Sequence, residues 1–434
     1  MSSLDSIVSL CKRRGFIYPG SDVYGGFAGT WDFGPLGVML KKNLMDTWWS
    51  YWVDRRDDIY GVDADIIMNP RTWLASGHTA TFADPLIECK ACHGRFRADK
   101  LAKGLNEHVT DDEFARLGVK CPTCGQETWG PIRMFNMMFK THVGPVDGEE
   151  SAAYLRPETA QGIFVNYKNV VDSLYPSIPF GLAQQGKAFR NEISPRDFIL
   201  RDRECTQMEI EYFVHPSTWE TEFEQLLKET DTFLEKEIGL SMSKINHLEV
   251  AEKDRAHYSK RTVDFMYQYP GGEEELMGLA YRTDFDLQNI ARESGKSMEY
   301  RDKQTGETFV PHVIEPSIGV ERLFLAVLAD SWDEEKGILH LPANLAPYKF
   351  CVSPLLKNKP ELVQKAKEVY DLLKAKYTFV TWDDSGNIGK RYKKQDEIGT
   401  PKCIVIDFDT LEDGTVTVRD RDTASQIRIN PEEL

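Results

Sequence analysis

The chain has 434 residues, 41% of them apolar and 28% charged, a balance that indicates a globular protein of two or three domains and excludes a disordered one. It contains no apolar run of about 18 residues and no basic-then-apolar segment at its start, so we expect no membrane span, no secretory signal and a cytoplasmic location. The net charge of −16 argues against indiscriminate binding of nucleic acids, DNA included.

The first 346 residues mix predicted helices and strands. An N-terminal helix, a Gly-rich stretch and a Trp-rich helical segment precede residue 84. Short apolar runs alternate with turns over 150–215, which predicts antiparallel strands. The pattern then predicts an amphipathic helix over 217–237, strands over 278–287 and 312–318, and an apolar helix over 321–329.

The hydrophobic pattern changes beyond a proline-punctuated loop at 341–347. It predicts a strand over 350–354, a helix that begins at Pro360, and strands over 377–382 and 403–408. This βαβαβ pattern indicates a separate α/β domain.

The C-terminal region 347–434 carries 15 basic and 15 acidic side chains, so the whole negative charge lies in the residues before it. A neutral domain with a basic cluster could touch a phosphate backbone. An ordinary solvated helix face is the alternative for this cluster, which consists of Lys390, Arg391, Lys393 and Lys394.

Two CxxC pairs lie 28 residues apart: Cys89 and Cys92, then Cys121 and Cys124. In a long chain without a secretory signal this pattern indicates a metal site rather than disulfides. Two-residue spacers let both thiolates of a pair reach one tetrahedral Zn²⁺, and four cysteines close its coordination shell. We therefore predict a structural zinc site, the alternative being four reduced thiols.

Three charged segments, 154–162, 189–209 and 315–322, adjoin apolar runs. Charges next to a core are costly unless they are paired or functional. Arginines on several elements, with carboxylates between them, suit a polyphosphate with Mg²⁺. The chain has no GxxxxGK[ST] or GxGxxG loop, so side chains would hold any nucleotide. The alternative is a set of buried salt bridges that binds no ligand.

These segments resemble the motifs of class II aminoacyl-tRNA synthetases. Phe189-Arg190-Asn191-Glu192, the loop 193–200 and the segment from Arg201 resemble motif 2. Residues 319–322 resemble motif 3, and residues 34–37 with the following helix resemble motif 1.

Within that class, the sequence of these segments is similar to that of glycyl-tRNA synthetases of the homodimeric type. The closest matches are Arg156-Pro157-Glu158-Thr159-Ala160-Gln161-Gly162, residues 189–195 and residues 315–322. The resemblance implies ATP-dependent activation of glycine to glycyl-adenylate, transfer to tRNA(Gly), and a homodimer formed through the motif 1 helix.

The implied fold is α+β. Residues 1–84 and 141–340 would form a catalytic core with an antiparallel sheet, residues 85–140 an inserted zinc module, and residues 347–434 an α/β anticodon-binding domain.

The resemblance also assigns roles to side chains. The catalytic residues would be Arg190, which holds the α-phosphate, Arg322, which clamps the γ-phosphate, and Glu192. The implied contacts to ATP and its Mg²⁺ are Arg190, Asn191, Glu192, Leu200, Arg201, Arg203, Cys205, Glu275, Leu276, Glu315, Gly319 and Arg322. The implied contacts to glycine are Arg97, Glu158, Gln207, Glu209, Glu315, Ser317 and Gly319.

Two positions depart from the family. Cys205 stands where the family usually has a phenylalanine that stacks on adenine, and Asn289 stands where a histidine is common. Three other interpretations stay open at this stage: a class II-like ligase without a tRNA step, an RNA-binding module with a zinc ribbon, and a synthetase for serine or threonine.

Overall fold

The computed structural model of the chain describes residues 3–102, 105–106, 109–145, 148–195 and 197–434. Arg196, in the predicted motif 2 loop, lies outside the described residues. The strands, in chain order, are β1 (Ile17–Pro19), β2 (Trp31–Phe33), β3 (Ile59–Gly61), β4 (Ala83–Glu88), β5 (Arg95–Arg97), β6 (Arg133–Asn136), β7 (Lys140–His142), β8 (Ala152–Tyr154), β9 (Phe180–Phe189), β10 (Glu204–Val214), β11 (Ile245–Glu249), β12 (Arg261–Tyr269), β13 (Gly272–Thr283), β14 (Tyr300–Arg301), β15 (Thr308–Phe309), β16 (His312–Gly319), β17 (Trp332–Asp333), β18 (Ile338–Leu339), β19 (Phe350–Pro354), β20 (Val380–Trp382), β21 (Lys402–Ile406), β22 (Val416–Asp420) and β23 (Gln426–Ile429).

The first α-helix precedes these strands, and the others lie between them. They are α1 (Leu4–Arg14), α2 (Pro35–Trp49), α3 (Arg71–Ala75), α4 (His78–Thr81), α5 (Asp111–Arg116), α6 (Ala160–Leu174), α7 (Trp219–Thr232), α8 (Phe285–Ser294), α9 (Val320–Ser331), α10 (Pro360–Lys376), α11 (Ile388–Ile398) and α12 (Phe408–Asp413). None of the helices in the described ranges is long and apolar enough to cross a membrane.

A sheet of seven strands, counted over the described residues, forms the centre of the molecule in the order β11-β12-β13-β16-β10-β9-β3. Neighbouring strands are antiparallel, except that β3 runs parallel to β9. One apolar cluster joins this sheet to α1, α2, α7 and α9, and a second joins it to α6 and α8. The expected antiparallel sheet flanked by helices is confirmed.

The prediction of strands throughout 150–215 was wrong over one segment, since α6 occupies Ala160–Leu174 between β8 and β9. The apolar residues Ile163, Tyr167 and Val171 of this segment recur every four residues and are buried in the second apolar cluster. That spacing places them on one helical face, which outweighs the local β-propensity.

The predicted strand over 278–287 was wrong at its end. Strand β13 stops at Thr283, which has a left-handed φ of 56°, and α8 begins at Phe285. The turn redirects the chain, so that Asp286 and Leu287 are buried as the first turn of a helix.

Among the described residues, two further sheets have three or more strands, and four others are pairs of strands. Strands β5-β4-β6 form the sheet of the cysteine segment, around the buried side chains of Ile87, Ala98, Val109 and Phe114. The C-terminal sheet has the order β20-β19-β21-β22-β23.

The C-terminal sheet contains the predicted strands and a hairpin that the βαβαβ pattern did not predict. Strands β20, β19 and β21 are parallel, whereas β22 and β23 add antiparallel at one edge. The predicted strand 350–354 and the helix start at Pro360 are confirmed. The predicted strand 403–408 was wrong at its end, because β21 stops at Ile406 and the Asp407 side chain caps α12, which begins at Phe408. Helix α10 buries Leu362, Ala366, Val369 and Leu373 against this sheet.

Helix α2 touches the chain before it closely at Gly37. A methyl group at this position would lie 1.9 Å from the backbone carbonyl oxygen of Phe16, which cannot move away without displacing β1. Gly37→Ala should therefore lower the free energy of unfolding by about 1–3 kcal/mol, the range of overpacking substitutions. The control is Gly271→Ala, where nothing lies within 4 Å of the added methyl group. Equal midpoints of the two variants in urea unfolding would contradict this packing.

Candidate active site

A cavity of about 460 Å³ lies over β10, β13 and β16. The three charged segments of the sequence meet there, together with residues of the cysteine segment. The sequence-predicted site residues that line this cavity are Arg97, Glu158, Arg190, Glu192, Leu200, Arg201, Cys205, Gln207, Glu209, Glu275, Leu276, Glu315, Ser317, Gly319 and Arg322. Asn191 and Arg203 do not belong to the lining.

The alternation of side chains along β10 places two of its polar groups in the cavity. Gln207 and Glu209 face the cavity, while Met208 and Ile210, which alternate with them, face the large apolar core. In register, Glu209 lies opposite Ser317 of β16, and Gln207 opposite Gly319. Two neighbouring strands thus present polar groups at one place on the sheet.

Two arginines lie in the cavity and, as far as the described residues show, keep donors free for a ligand. Arg190 donates from Nε to the Pro157 carbonyl at 3.0 Å. Arg322 donates from Nη1 to the Glu275 carbonyl at 3.0 Å and forms an ion pair with Glu275 Oε1 at 3.1 Å. The Arg322 guanidinium lowers the pKa of Glu275, against the effect of burial. Because each guanidinium carries five N–H donors, both retain capacity for phosphate oxygens.

An acidic pit occupies one end of the cavity, and we define it as Glu158, Glu209 and Glu315. The Thr159 hydroxyl donates to Glu209 Oε2 at 2.5 Å, and His78 Nε2 lies 3.4 Å from Glu158 Oε1. Burial raises the pKa of Glu158, but the larger opposite effect of His78 and nearby arginines brings this pKa below its usual range, so the carboxylate is ionised. Burial also raises the pKa of Glu315, to about 8, although a neighbouring arginine opposes the shift.

That arginine is Arg282, which is buried beneath the pit and was not assigned a role from the sequence. It donates from Nε and Nη2 to both carboxylate oxygens of Asp286, at 2.8 and 3.0 Å, and from Nη1 to Glu315 Oε2 at 2.6 Å. Its guanidinium also lies 3.7 Å from the ring centroid of Tyr258. The sequence signal was available, since Arg282 and Asp286 are charged residues inside an apolar segment.

A second unassigned network links α2 to the motif 2 and motif 3 segments. Lys41 donates to Glu321 Oε1 at 2.6 Å and to Thr206 Oγ1 at 2.8 Å. Glu321 Oε2 accepts the Thr206 N–H at 2.8 Å. Burial and the Glu321 carboxylate raise the pKa of the neighbouring Asp202 to about 8. Lys41 therefore ties both charged segments to the Trp-rich helix.

Two of the predicted contacts, Arg97 and Arg203, have competing partners. Arg97 pairs with Asp84 Oδ2 at 2.7 Å and with Asp99 Oδ2 at 2.8 Å. Arg203 points away from the cavity and donates to the carbonyls of Ala28 and Glu192, at 2.6 and 3.1 Å. The small Cys205 side chain does line the cavity, and burial raises the pKa of its thiol to about 12.

The four cysteines of the CxxC pairs lie together. Cys89 Sγ is 3.7 Å from Cys124 Sγ, Cys92 Sγ is 3.6 Å from Cys121 Sγ, and all four sulfur atoms lie within 4.8 Å of one another. A tetrahedral zinc with Zn–S bonds of about 2.3 Å requires S···S separations of about 3.8 Å. The donor set and its spacing therefore fit zinc.

Comparisons with known proteins agree on a family. The family model described as "tRNA synthetase class II core domain (G, H, P, S and T)" matches residues 139–331, and the one described as "Anticodon binding domain" matches residues 349–434. Two similar proteins are the glycine–tRNA ligases of Malacoplasma penetrans, 47% identical, and Clostridium tetani, 46% identical. The alignments cover 99% and 100% of this chain, and 96% and 97% of those proteins.

A solved structure shows the same fold at low identity. The prolyl-tRNA synthetase of Giardia lamblia, in complex with prolyl-adenylate, superposes with a TM-score of 0.70 over 99% of this chain and 75% of that chain. Only 16% of the residues are identical, so this likeness concerns the fold alone.

Arg282→Met should destabilise the protein strongly, because Asp286 and Glu315 would lose the cation that compensates their buried charges. Breaking a buried ion pair on one side costs about 3–5 kcal/mol. The control is Arg292→Met on α8, whose side chain is 67% exposed, and this variant should unfold like the wild type in urea. An Arg282→Met variant as stable as Arg292→Met would contradict the burial of this network.

Proposed function

The chain belongs to the glycine–tRNA ligase family of class II aminoacyl-tRNA synthetases, and we propose that the cavity over β10, β13 and β16 activates glycine with ATP and transfers it to tRNA(Gly). The observation that carries the proposal is the convergence of Arg190 and Arg322 with the acidic pit in one cavity. A polyphosphate needs the first feature, and a small ammonium group needs the second.

In the first step a glycine carboxylate oxygen attacks the α-phosphorus of ATP. The bond from that phosphorus to the oxygen bridging the β-phosphate breaks, and pyrophosphate leaves. The transition state mainly needs stabilisation of the negative charge on the phosphate oxygens, and fixed guanidinium groups would provide it. Arg190 would contact the α-phosphate and Arg322 the γ-phosphate.

In the second step a hydroxyl oxygen of the terminal tRNA ribose attacks the carbonyl carbon of glycyl-adenylate, and AMP leaves. Class II synthetases use ATP with Mg²⁺, which neutralises phosphate charge. Glu275, at the Arg322 end of the cavity, is the candidate to hold Mg²⁺ because hard cations prefer carboxylate oxygens.

The acidic pit would bind the glycine ammonium. Glu158 is ionised, and Glu209 and Ser317 face each other across the strand pair beside it. A side chain on the substrate would have to enter this charged, buried region, so larger amino acids are disfavoured. Arg97 is a weaker candidate for substrate contact, since Asp84 and Asp99 already pair with its guanidinium.

The C-terminal domain would contact tRNA through exposed lysines. Arg391 of the predicted basic cluster is only 3% exposed and donates to backbone carbonyls, including those of Pro354 and Gly386, so it supports the domain instead. Lys394 pairs with Asp383 at 3.1 Å, which leaves Lys390 and Lys393 as the candidates.

The proposal includes a homodimer, zinc and a cytoplasmic location. The dimer would form through α2, the helix that follows the motif 1 segment, on which Val38 is 54% exposed. Zinc would bind Cys89, Cys92, Cys121 and Cys124 and stabilise the fold of their segment. Metal-binding thiolates have to stay reduced, which suits the cytoplasm.

Arg190→Ala and Arg322→Ala should each lower glycine-dependent ATP–pyrophosphate exchange by at least about 10²-fold, the size expected when one transition-state charge contact is lost. The control is Arg301→Ala, because Arg301 is exposed on β14, away from the cavity lining. Exchange at the wild-type rate in both cavity variants would refute the proposed mechanism.

The purified protein should contain about one equivalent of zinc per chain by elemental analysis. Cys89→Ser and Cys121→Ser should lose it, since each removes a ligand from one CxxC pair. Cys205→Ser, which lies outside the quartet, should keep it. Less than about half an equivalent in the wild type would count against the site.

A further inference from the structure

Glu211 is a buried carboxyl group for which the proposed reaction gives no role. Its side chain is 0% exposed, and neither Oε1 nor Oε2 has a hydrogen-bond partner among the described residues. It lies two residues after Glu209 on β10 and so points to the same side of the sheet. Unlike Glu209, it does not line the cavity, so it lies behind the acidic pit.

Three carboxyl groups meet at this place. Oxygen atoms of Glu209, Glu211 and Glu315 all lie within 4.8 Å of one another. Two further charged groups face them: Arg282 on β13 and Asp286 on α8. The donors of Arg282 go to Asp286 and Glu315, and Glu211 receives none.

The charge count requires a proton at this position. The Arg282 guanidinium is already paired with Asp286 and bonded to Glu315, so it cannot also compensate a charge on Glu211. A buried carboxylate without a donor is far more costly than a neutral acid. Burial and the Glu315 carboxylate raise the pKa of Glu211 well above its usual range, which agrees with the geometry.

A neutral Glu211 also supplies a donor that its surroundings lack. Glu209 and Glu315 are acceptors, and Gln184, the register partner of Glu209 on β9, has an Oε1 atom without a donor among the described residues. A carboxylic acid carries one O–H donor, whereas a carboxylate carries none.

We infer that Glu211 is a positioning residue, which keeps a proton on its carboxyl group and with this one O–H holds Glu209 as the charged group that faces the cavity. The inference rests on the proposed function, in which the Glu209 carboxylate binds the substrate ammonium. Glu211 itself touches no substrate, so its loss acts through Glu209.

Glu211→Leu keeps the approximate size of the side chain but removes the donor, and should raise the KM for glycine in ATP–pyrophosphate exchange by about tenfold or more. The KM for ATP should change much less. Glu211→Gln has an N–H donor and no charge, as a protonated acid has, and should restore most of the lost glycine affinity. Glu209→Gln removes a charge that faces the cavity, so its KM for glycine should stay well above that of the wild type.

If Glu211→Gln is as impaired as Glu209→Gln, then Glu211 acts as a carboxylate and the inference fails. It also fails if Glu211→Leu leaves the KM for glycine unchanged. Absence of glycine-dependent exchange in the wild type would instead refute the proposed function.

The proton can be tested without activity. Folding takes up a proton at Glu211, because the unfolded side chain is ionised above about pH 4.5. The wild type should therefore lose stability relative to Glu211→Gln as the pH rises from about 5 to about 8, so that the Tm of the wild type falls relative to the Tm of the variant. A Tm difference that stays constant over this range would overturn the inference, whatever the enzyme assays show.

Discussion

Strand β10 is buried on both faces, and most of the site depends on the difference between them. Met208 and Ile210 pack into the large apolar cluster, whereas Gln207 and Glu209 face the cavity. A shift of one residue in the pairing with β16 would place carboxylates in hydrocarbon and apolar groups in the cavity. The cost of burying unpaired charge therefore fixes the register that sets Glu209 opposite Ser317.

Buried carboxylates on and beside this sheet are compensated by cations from other elements of the fold. Arg282 reaches Glu315 from β13, and Lys41 reaches Glu321 from α2. Each cation joins elements far apart in sequence, so the cavity forms only when the central sheet and its helices are complete. A site built from such pairs is pre-organised, which suits a reaction whose catalysis consists of positioning and charge stabilisation. Arg190 and Arg322 are then already positioned in the cavity before a ligand binds, with N–H donors left for phosphate oxygens.

The sequence predicted which residues form the site better than it predicted the contacts between their side chains. Motif spacing predicted Arg190, Glu209 and Arg322 in one cavity, because each lies in a recognisable segment. It could not predict that Arg203 turns away to bond Ala28, since a side chain's direction depends on packing that periodicity does not encode. The same holds for Glu211, which alternation places on the cavity side but tertiary packing leaves behind the lining. The missed helix α6 is a different case, because its four-residue spacing was present in the sequence.

The central claim is that one cavity selects glycine and joins it to ATP, and ATP–pyrophosphate exchange measured with each standard amino acid tests it most directly. We expect exchange with glycine, and rates lower by about a hundredfold or more with alanine, serine or threonine, because each adds a side chain that the pit would have to bury. Equal exchange with serine or alanine, or exchange that does not depend on glycine, would contradict the account.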